Sequence, residues 1–338
     1  MPTIQDVARL AGVSVATVSY VLNGGPRPVA PETREKVLRA IEALDYQPNA
    51  SARQLARRRA DCLGVLVAGL SDTNFSTPYF LEYIRGISYA AEAHGYNVML
   101  FSNHRQATGR SLARSITRSG MVDGLLCLGS SVPDEFILNL SQRGFPVVLM
   151  ARRIEGHPIP YVQQDYYQGT YEATRYALSR GYRRIGFLGQ HLHFSYGVDR
   201  FQAYRQALAD GGIPYDPALV QIPETPRDDP SLDEVRHLLE AGAEVLLTDR
   251  EVAVLTHLWE LGKRLADDIA LIGLDESEGA SLPDVSLTTF RPPKFEIGRL
   301  AVELLIQIIQ GNPPEPPQIV LPMQFIERAS CPPRFGGG

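Results

Sequence analysis

The sequence predicts a chain of two parts: a small all-α head of helix-turn-helix type and a larger α/β body built on parallel sheet. Three observations carry this. The run TIQDVARLAGVSVATVSYVLN, Thr3 to Asn23, places apolar residues at helical spacing on both sides of a glycine turn. From Cys62 onward, short apolar runs alternate with amphipathic helical stretches. Charge also divides along the chain: residues 1–60 hold nine Arg/Lys against five Asp/Glu, and the remainder holds 24 against 33. A basic head on an acidic body directs only the head at polyanions.

In the head, Thr3 caps a first helix and Asp6 closes a capping box. Val7, Ala8 and Ala11 form its apolar stripe, Gly12 supplies the turn, and Ser14 caps the second helix. There Val18, Val21 and Leu22 share the face that packs inward. Val15, Ala16, Ser19 and Tyr20 share the opposite face, which is too apolar for ordinary solvation and suited to a DNA groove. Ala30-Pro31-Glu32 opens a third helix whose Val37, Ile41 and Leu44 complete a miniature core. A stretch YQPNASARQLARRR follows.

The body offers the strand candidates CLGVLVAGL, YNVMLFSN, DGLLCLG, PVVLMA, RIGFLG, EVLLTD and DIALIGLD. Helical stretches between them include Tyr79 to His94, Gln168 to Arg180, Arg200 to Asp210 and Phe295 to Gln310. Cys62, Cys127 and Cys331 are too scattered for a disulfide framework or a zinc site, and the first two read as core. His191 and His193 lack a third ligand at useful spacing, so no metal is expected. No nucleophile elbow, phosphate loop or catalytic metal motif is found, so neither catalytic residues nor a cofactor is expected. The first residues begin a polar capped helix instead of a signal peptide. No apolar run nears the ~20 residues needed to span a membrane. The expectation is a cytoplasmic protein.

The helix-turn-helix and the stretch after it together resemble the LacI/GalR family of bacterial transcription regulators, closely from Thr3 to Ala56 and more loosely to about Glu327. The resemblance implies a helix-turn-helix domain over 1–48 and a hinge helix with linker over 49–61. A two-lobed, type I periplasmic-binding-protein-like domain for effector binding and dimerisation would span 62–330, with a tail over 331–338. The lobes would exchange chain near Tyr161-Val162, Phe290-Arg291 and Leu321-Pro322. Members that tetramerise carry a C-terminal apolar heptad run, and RFGGG ends without one, so a homodimer is expected.

Carried over residue by residue, the resemblance makes Val15, Ala16 and Tyr20 the base readers. Val15 and Ala16 have no side-chain donor and suit thymine methyls. Thr17, Ser19 and Asn23 suit phosphate oxygens, which fix register. Asn49 to Arg57 is too short to hold a helix alone; in the family two copies pair over the minor groove. Ala52 permits the close approach, Leu55 matches the family's wedge between base steps, and Arg53 with Arg57, Arg58 and Arg59 meets phosphates. For the effector, the resemblance implies an aromatic after the first body strand, Tyr79 before Phe75. It adds Asp165, Arg200 and Asp275, with Thr248 or Asp249 where the family shows an Asn-Asp pair. The chain departs from the family at Tyr166, where an Asn is usual, and at Pro292. Charged groups on adjacent hydroxyls with an aromatic plate suit a sugar ring. The implied function is a repressor of a near-palindromic operator, controlled by a small metabolite of sugar type.

Overall fold

The computed structural model describes residues 2–23, 28–46, 59–68, 78–103, 116, 120–129, 132–226, 229–277, 280 and 285–334. They belong to two compact units, Met1–Ala60 and Asp61–Gly338. In the first, α1 (Ile4–Ala11) begins at the expected capping box: Thr3 Oγ1 accepts the Asp6 N–H at 3.3 Å, and Asp6 Oδ2 accepts the Thr3 N–H at 2.9 Å. It stops at Gly12, left-handed at φ +65°, where the Val13 N–H returns to Ala8 O at 3.0 Å. Ser14 Oγ then accepts the Thr17 N–H at 3.1 Å and starts α2 (Val15–Asn23). The third helix, α3 (Pro31–Ala43), has proline in its first turn, where no N–H is needed. Val7, Ala8, Val18, Val21, Val37 and Ala40 form the buried centre, ringed by Leu22, Ile41 and Leu44.

The body holds two six-stranded sheets of the same plan. The first contains β1 (Cys62–Ala68), β2 (Asn97–Asn103), β3 (Gly124–Leu128), β4 (Val147–Met150) and β5 (Tyr161–Gln164). The second contains β6 (Ile185–Leu188), β7 (Val220–Gln221), β8 (Val245–Thr248), β9 (Ala270–Gly273) and β10 (Thr288–Arg291). Each has its second strand outermost, then the first, third, fourth and fifth, all parallel. The late strand β11 (Gln318–Leu321) adds parallel to β5, and β12 (Gln324–Ile326) adds antiparallel to β10.

Helices cover the strands because β3, β4, β6, β8 and β9 are buried along their whole length. The first lobe has α4 (Pro78–Ala93), α5 (Asp134–Gln142) and α10 (Lys294–Ile309). The second has α6 (Tyr166–Ser179), α7 (Ser195–Asp210), α8 (Leu232–Glu240) and α9 (Glu251–Glu260). Tyr83, Ile87, Ile297 and Leu305 pack on one sheet; Tyr204, Phe187 and Leu247 lie in the core of the other.

Two expectations need correction. Tyr161 and Val162 are paired inside β5, so the first crossing between sheets comes after Gln164. The chain returns after Arg291 and crosses last between Leu321 and Gln324. The supposed tail is also structural at its start. Cys331 is fully buried in the second-lobe core, Tyr182 Oη donates to Pro332 O at 2.8 Å, and the Arg334 N–H donates to Arg180 O at 2.7 Å. Among the described residues, no helix is long and apolar enough to cross a membrane.

Candidate functional site

The head presents α2 with its apolar seam inward and a mixed face outward. Val15 is 41% exposed and Ala16 is exposed, while Ser19 and Tyr20 are half-buried on the same side. Thr17 Oγ1 lies 2.8 Å from Ser14 Oγ, so this hydroxyl is engaged with the cap. The Asn23 side chain and the hinge residues Ala52, Arg53 and Leu55 lie outside the described residues.

In the body, the second sheet changes direction between β6 and β8, the crevice where ligands settle at the carboxyl ends of parallel strands. Three of the expected effector residues come together there. Arg200 from α7 is 2% exposed and ion-paired with Asp249, which directly follows β8. Its other nitrogen lies 3.7 Å from Asp275 Oδ2, beyond the end of β9, and donates to Leu274 O at 3.3 Å. Gln190, just past β6, donates to Asp249 at 3.1 Å. Lys294 Nζ approaches Asp275 Oδ1 at 3.7 Å.

Burial by itself raises the Asp249 pKa. The charges of Arg200 and Arg250 and the Gln190 hydrogen bond outweigh it and hold the carboxyl below its ordinary value. Asp249 is therefore ionised at neutral pH. Removing charged groups from water costs several kcal/mol per ion before pairing, so the cluster is a poor device for stability alone.

The remaining expected residues are placed differently. Asp165 caps α6, its Oδ1 accepting the Gln168 N–H at 2.9 Å. Thr248 is fully buried and accepts the Arg250 N–H at 3.0 Å, which fixes the turn that delivers Asp249. Phe75 and the side chain of Tyr79 lie outside the described residues.

The departure at Tyr166 has a clear structural consequence. Its ring is buried under the Arg200 guanidinium, 4.8 Å from the centroid, and its hydroxyl donates across to Ala151 O of the first lobe at 2.6 Å. Sequence reasoning did not place Tyr166, Gln190 or Lys294 in the site. Only Tyr166 carried a signal, as a break in the family pattern.

Glu251, at the start of α9, was also missed. It is almost fully buried, accepts from Thr289 Oγ1 at 2.7 Å and from the Ser277 N–H at 2.6 Å, and is pushed up to about 7, mainly by burial. Among the described residues, no group of His, Cys, Asp and Glu could hold a metal ion.

Comparison with known proteins agrees with both halves of this geometry. Residues 3–49 match the bacterial regulatory proteins of the lacI family, and residues 174–331 match a periplasmic binding protein-like domain. The HTH-type transcriptional regulator CelR of Thermobifida fusca is 33% identical over 97% of this chain and 98% of its own. Catabolite control protein A of Priestia megaterium is 31% identical over the same shares. Among solved structures, a CelR–cellobiose complex covers 98% of this chain and 100% of its own at 30% identity and TM-score 0.71. The Lac repressor dimer bound to operator shares the fold, with TM-score 0.78 at 23% identity over 98% and 99% of the two chains. These relatives are transcriptional regulators, not enzymes. The chain belongs to the LacI family of bacterial transcriptional regulators.

Proposed function

We propose that this regulator is a repressor whose operator affinity is set by a sugar or sugar derivative held between the two lobes of its body. The observation that carries the reading is the buried Arg200–Asp249–Asp275 cluster at the ends of β6, β8 and β9. It offers forked donors and acceptors for neighbouring hydroxyls, and with Lys294 beside Asp275 two cations face two carboxylates, a balance that favours a neutral ligand. The CelR relative, whose solved complex holds cellobiose, supports a glucoside-like effector.

The head grips the operator with Val15, Ala16 and Tyr20 on base edges, and with Ser19, Thr17 and Asn23 near phosphates. Ala52, Arg53 and Leu55 follow in the minor groove. A homodimer in the cytoplasm matches a near-palindromic site. It is supported by exposed apolar side chains on both lobes: Leu81, Tyr89 and Leu100 on the first, Val252 and Trp259 on the second. Effector binding shifts the lobes and releases DNA, a coupling of about 1–3 kcal/mol in such systems.

A gel shift on the DNA upstream of the protein's own gene, with cellobiose, glucose and other neutral sugars added in turn, tests the reading. Loss of the shifted band with one sugar is expected. A complex that forms and ignores every sugar in the panel overturns the effector assignment.

A further inference from the structure

A groove opens on the outer face of the second lobe. Arg205 lies five residues after Arg200 on α7, about 140° round the helix, so one arginine faces the cleft and the other faces out. The Arg205 guanidinium sits 5.8 Å from the Phe201 ring centroid and 5.2 Å from that of Tyr215. Phe201 is itself anchored against the lobe core, and Tyr215 meets it edge-on at 6.2 Å. These rings hold the cation in place.

Beside it runs this groove of about 460 Å³, lined by Tyr167, Gln202, Gln206, Ile213 and Tyr215 as well as Arg205. That volume lies within the range of small-molecule sites. Tyr167 is 37% exposed and Tyr215 42%.

Among the described residues, no carboxylate pairs with Arg205. By contrast Arg180, Arg184, Arg200, Arg236, Arg291, Arg328 and Arg334 of the same lobe all pair with acids. The acids near Arg205 in sequence are committed elsewhere. Asp210 accepts from Tyr171 Oη and from Gln206 Nε2, each at 2.8 Å, and Asp216 lies 3.4 Å from Arg184. The groove therefore offers a pinned cation with its N–H edges unengaged, two exposed aromatic rings, and the amide of Gln202.

We propose that this groove binds a nucleoside monophosphate: the phosphate forks onto Arg205, the base stacks on the exposed face of Tyr167, and Gln202 pairs with the base edge. A guanidinium resting against two rings gives up less freedom on forming two parallel N–H···O bonds to a phosphate. Base stacking on an aromatic side chain contributes independently of base identity, and an amide can meet the paired donor and acceptor of an adenine edge. The site is independent of the sugar cleft and makes no use of its residues.

Isothermal titration of the full-length protein with adenosine monophosphate, adenosine and inorganic phosphate tests the assignment. Adenosine monophosphate should bind more tightly than either fragment. Arg205→Gln should weaken it at least about tenfold, to the level of adenosine, the loss of charged hydrogen bonds being of that size. Tyr167→Ser, a change at an exposed ring that does not hold Arg205, should weaken adenosine and leave phosphate untouched. Equal binding of adenosine and its monophosphate, unchanged affinity in Arg205→Gln, or no heat at millimolar nucleotide would each overturn the proposal. None of these results bears on the gel-shift response to neutral sugars.

Discussion

Arg153, three residues past the first lobe's β4, grips both carboxylate oxygens of Asp199 on α7 of the second lobe, one of them at 2.8 Å. The Asp199 hydrogen bond is the main reason the arginine's pKa is raised. Two neighbouring bonds cross the same seam: the Arg153 N–H to Ser195 Oγ at 3.2 Å, and Tyr166 Oη to Ala151 O. With side chains 22% and 14% exposed, the ion pair is shielded enough to couple the lobes. A double-mutant cycle of Arg153→Gln and Asp199→Asn in urea unfolding should give a coupling of about 0.5–3 kcal/mol. Strict additivity would show that the pair does not hold the lobes together.

The cleft cluster adds little net stability when intact, yet removing one member alone should be strongly destabilising. Asp249→Ala leaves Arg200 buried with its nearest partner gone, an outcome that costs about 3–5 kcal/mol. Asp275→Asn keeps the shape and removes a more distant charge, so it should fold near normally and lose sugar response. Because the folded pKa of Asp249 is depressed, its contribution is present above its ordinary value of 3.8 and is lost as pH falls through the lower folded value. Melting between pH 3 and 6 reads this window. An Asp249→Ala protein as stable as the parent at pH 6 would contradict it.

Glu251 predicts the reverse slope. Burial raises its folded pKa to about 7 from an ordinary 4.5, so between those values the native state binds the extra proton. Stability from this group is full below pH 4.5 and declines as pH rises towards 7, by a few kcal/mol at most. Glu251→Gln should flatten that decline and raise the melting temperature at pH 8, with the amide bridging Thr289 and the Ser277 N–H. Gly273→Ala should be strongly destabilising at any pH, since its methyl would fall 1.8 Å from Glu251 Oε1 and 2.4 Å from Thr289 Oγ1. A pH profile identical in Glu251→Gln and parent would remove Glu251 as the titrating group.

The head was legible because its information is local. Thr3, Asp6, Gly12 and Ser14 act within one turn of their own positions, and Val7, Val18 and Val37 mark buried faces by spacing. The fully apolar strands were legible for the same reason. β5, β10 and β12 were not, since YVQQ, TTFR and QFI carry polar residues where the chain changes lobes. In the cleft, the meeting of Arg200, Asp249 and Asp275 followed only from the family resemblance. The Arg153–Asp199 contact depends on how the two lobes meet across 46 residues of sequence, and the Tyr166–Arg200 stack on how α6 lies beside α7 across 34, and no local pattern encodes them. Asp165 shows the converse: a strong local cap signal that also fitted a ligand role.

Trp259 bears on assembly. It is 81% exposed at the end of α9, seven residues and two turns from Val252, which is 54% exposed on the same face. Large aromatic side chains at the centre of an interface commonly cost about 2 kcal/mol or more when removed. Trp259→Glu should therefore move sedimentation-equilibrium profiles towards monomer and weaken operator binding in parallel. A dimer of unchanged strength would place the seam elsewhere.

On the proposed assignments, operator reading divides between two elements that touch different parts of the site. Val15 and Ala16 stand at the exposed start of α2, where a recognition helix meets base edges, so their replacement should change preferences at half-site positions by about 1–3 kcal/mol per contact. Tyr20, half-buried on the same face, should act with them. Leu55 has no polar atom in its side chain, and as a wedge it selects bases only through the ease of unstacking, which favours a central pyrimidine–purine step. Leu55→Ala should then flatten the central-step preference, reduce the bend, and weaken specific binding more than non-specific binding. Arg57→Ala, Arg58→Ala and Arg59→Ala combined should instead lower the salt slope and weaken all sequences alike. Binding-site selection with bend-angle measurement separates the three outcomes. If Leu55→Ala left both the central preference and the bend intact, the wedge assignment would fail while the half-site assignments stood.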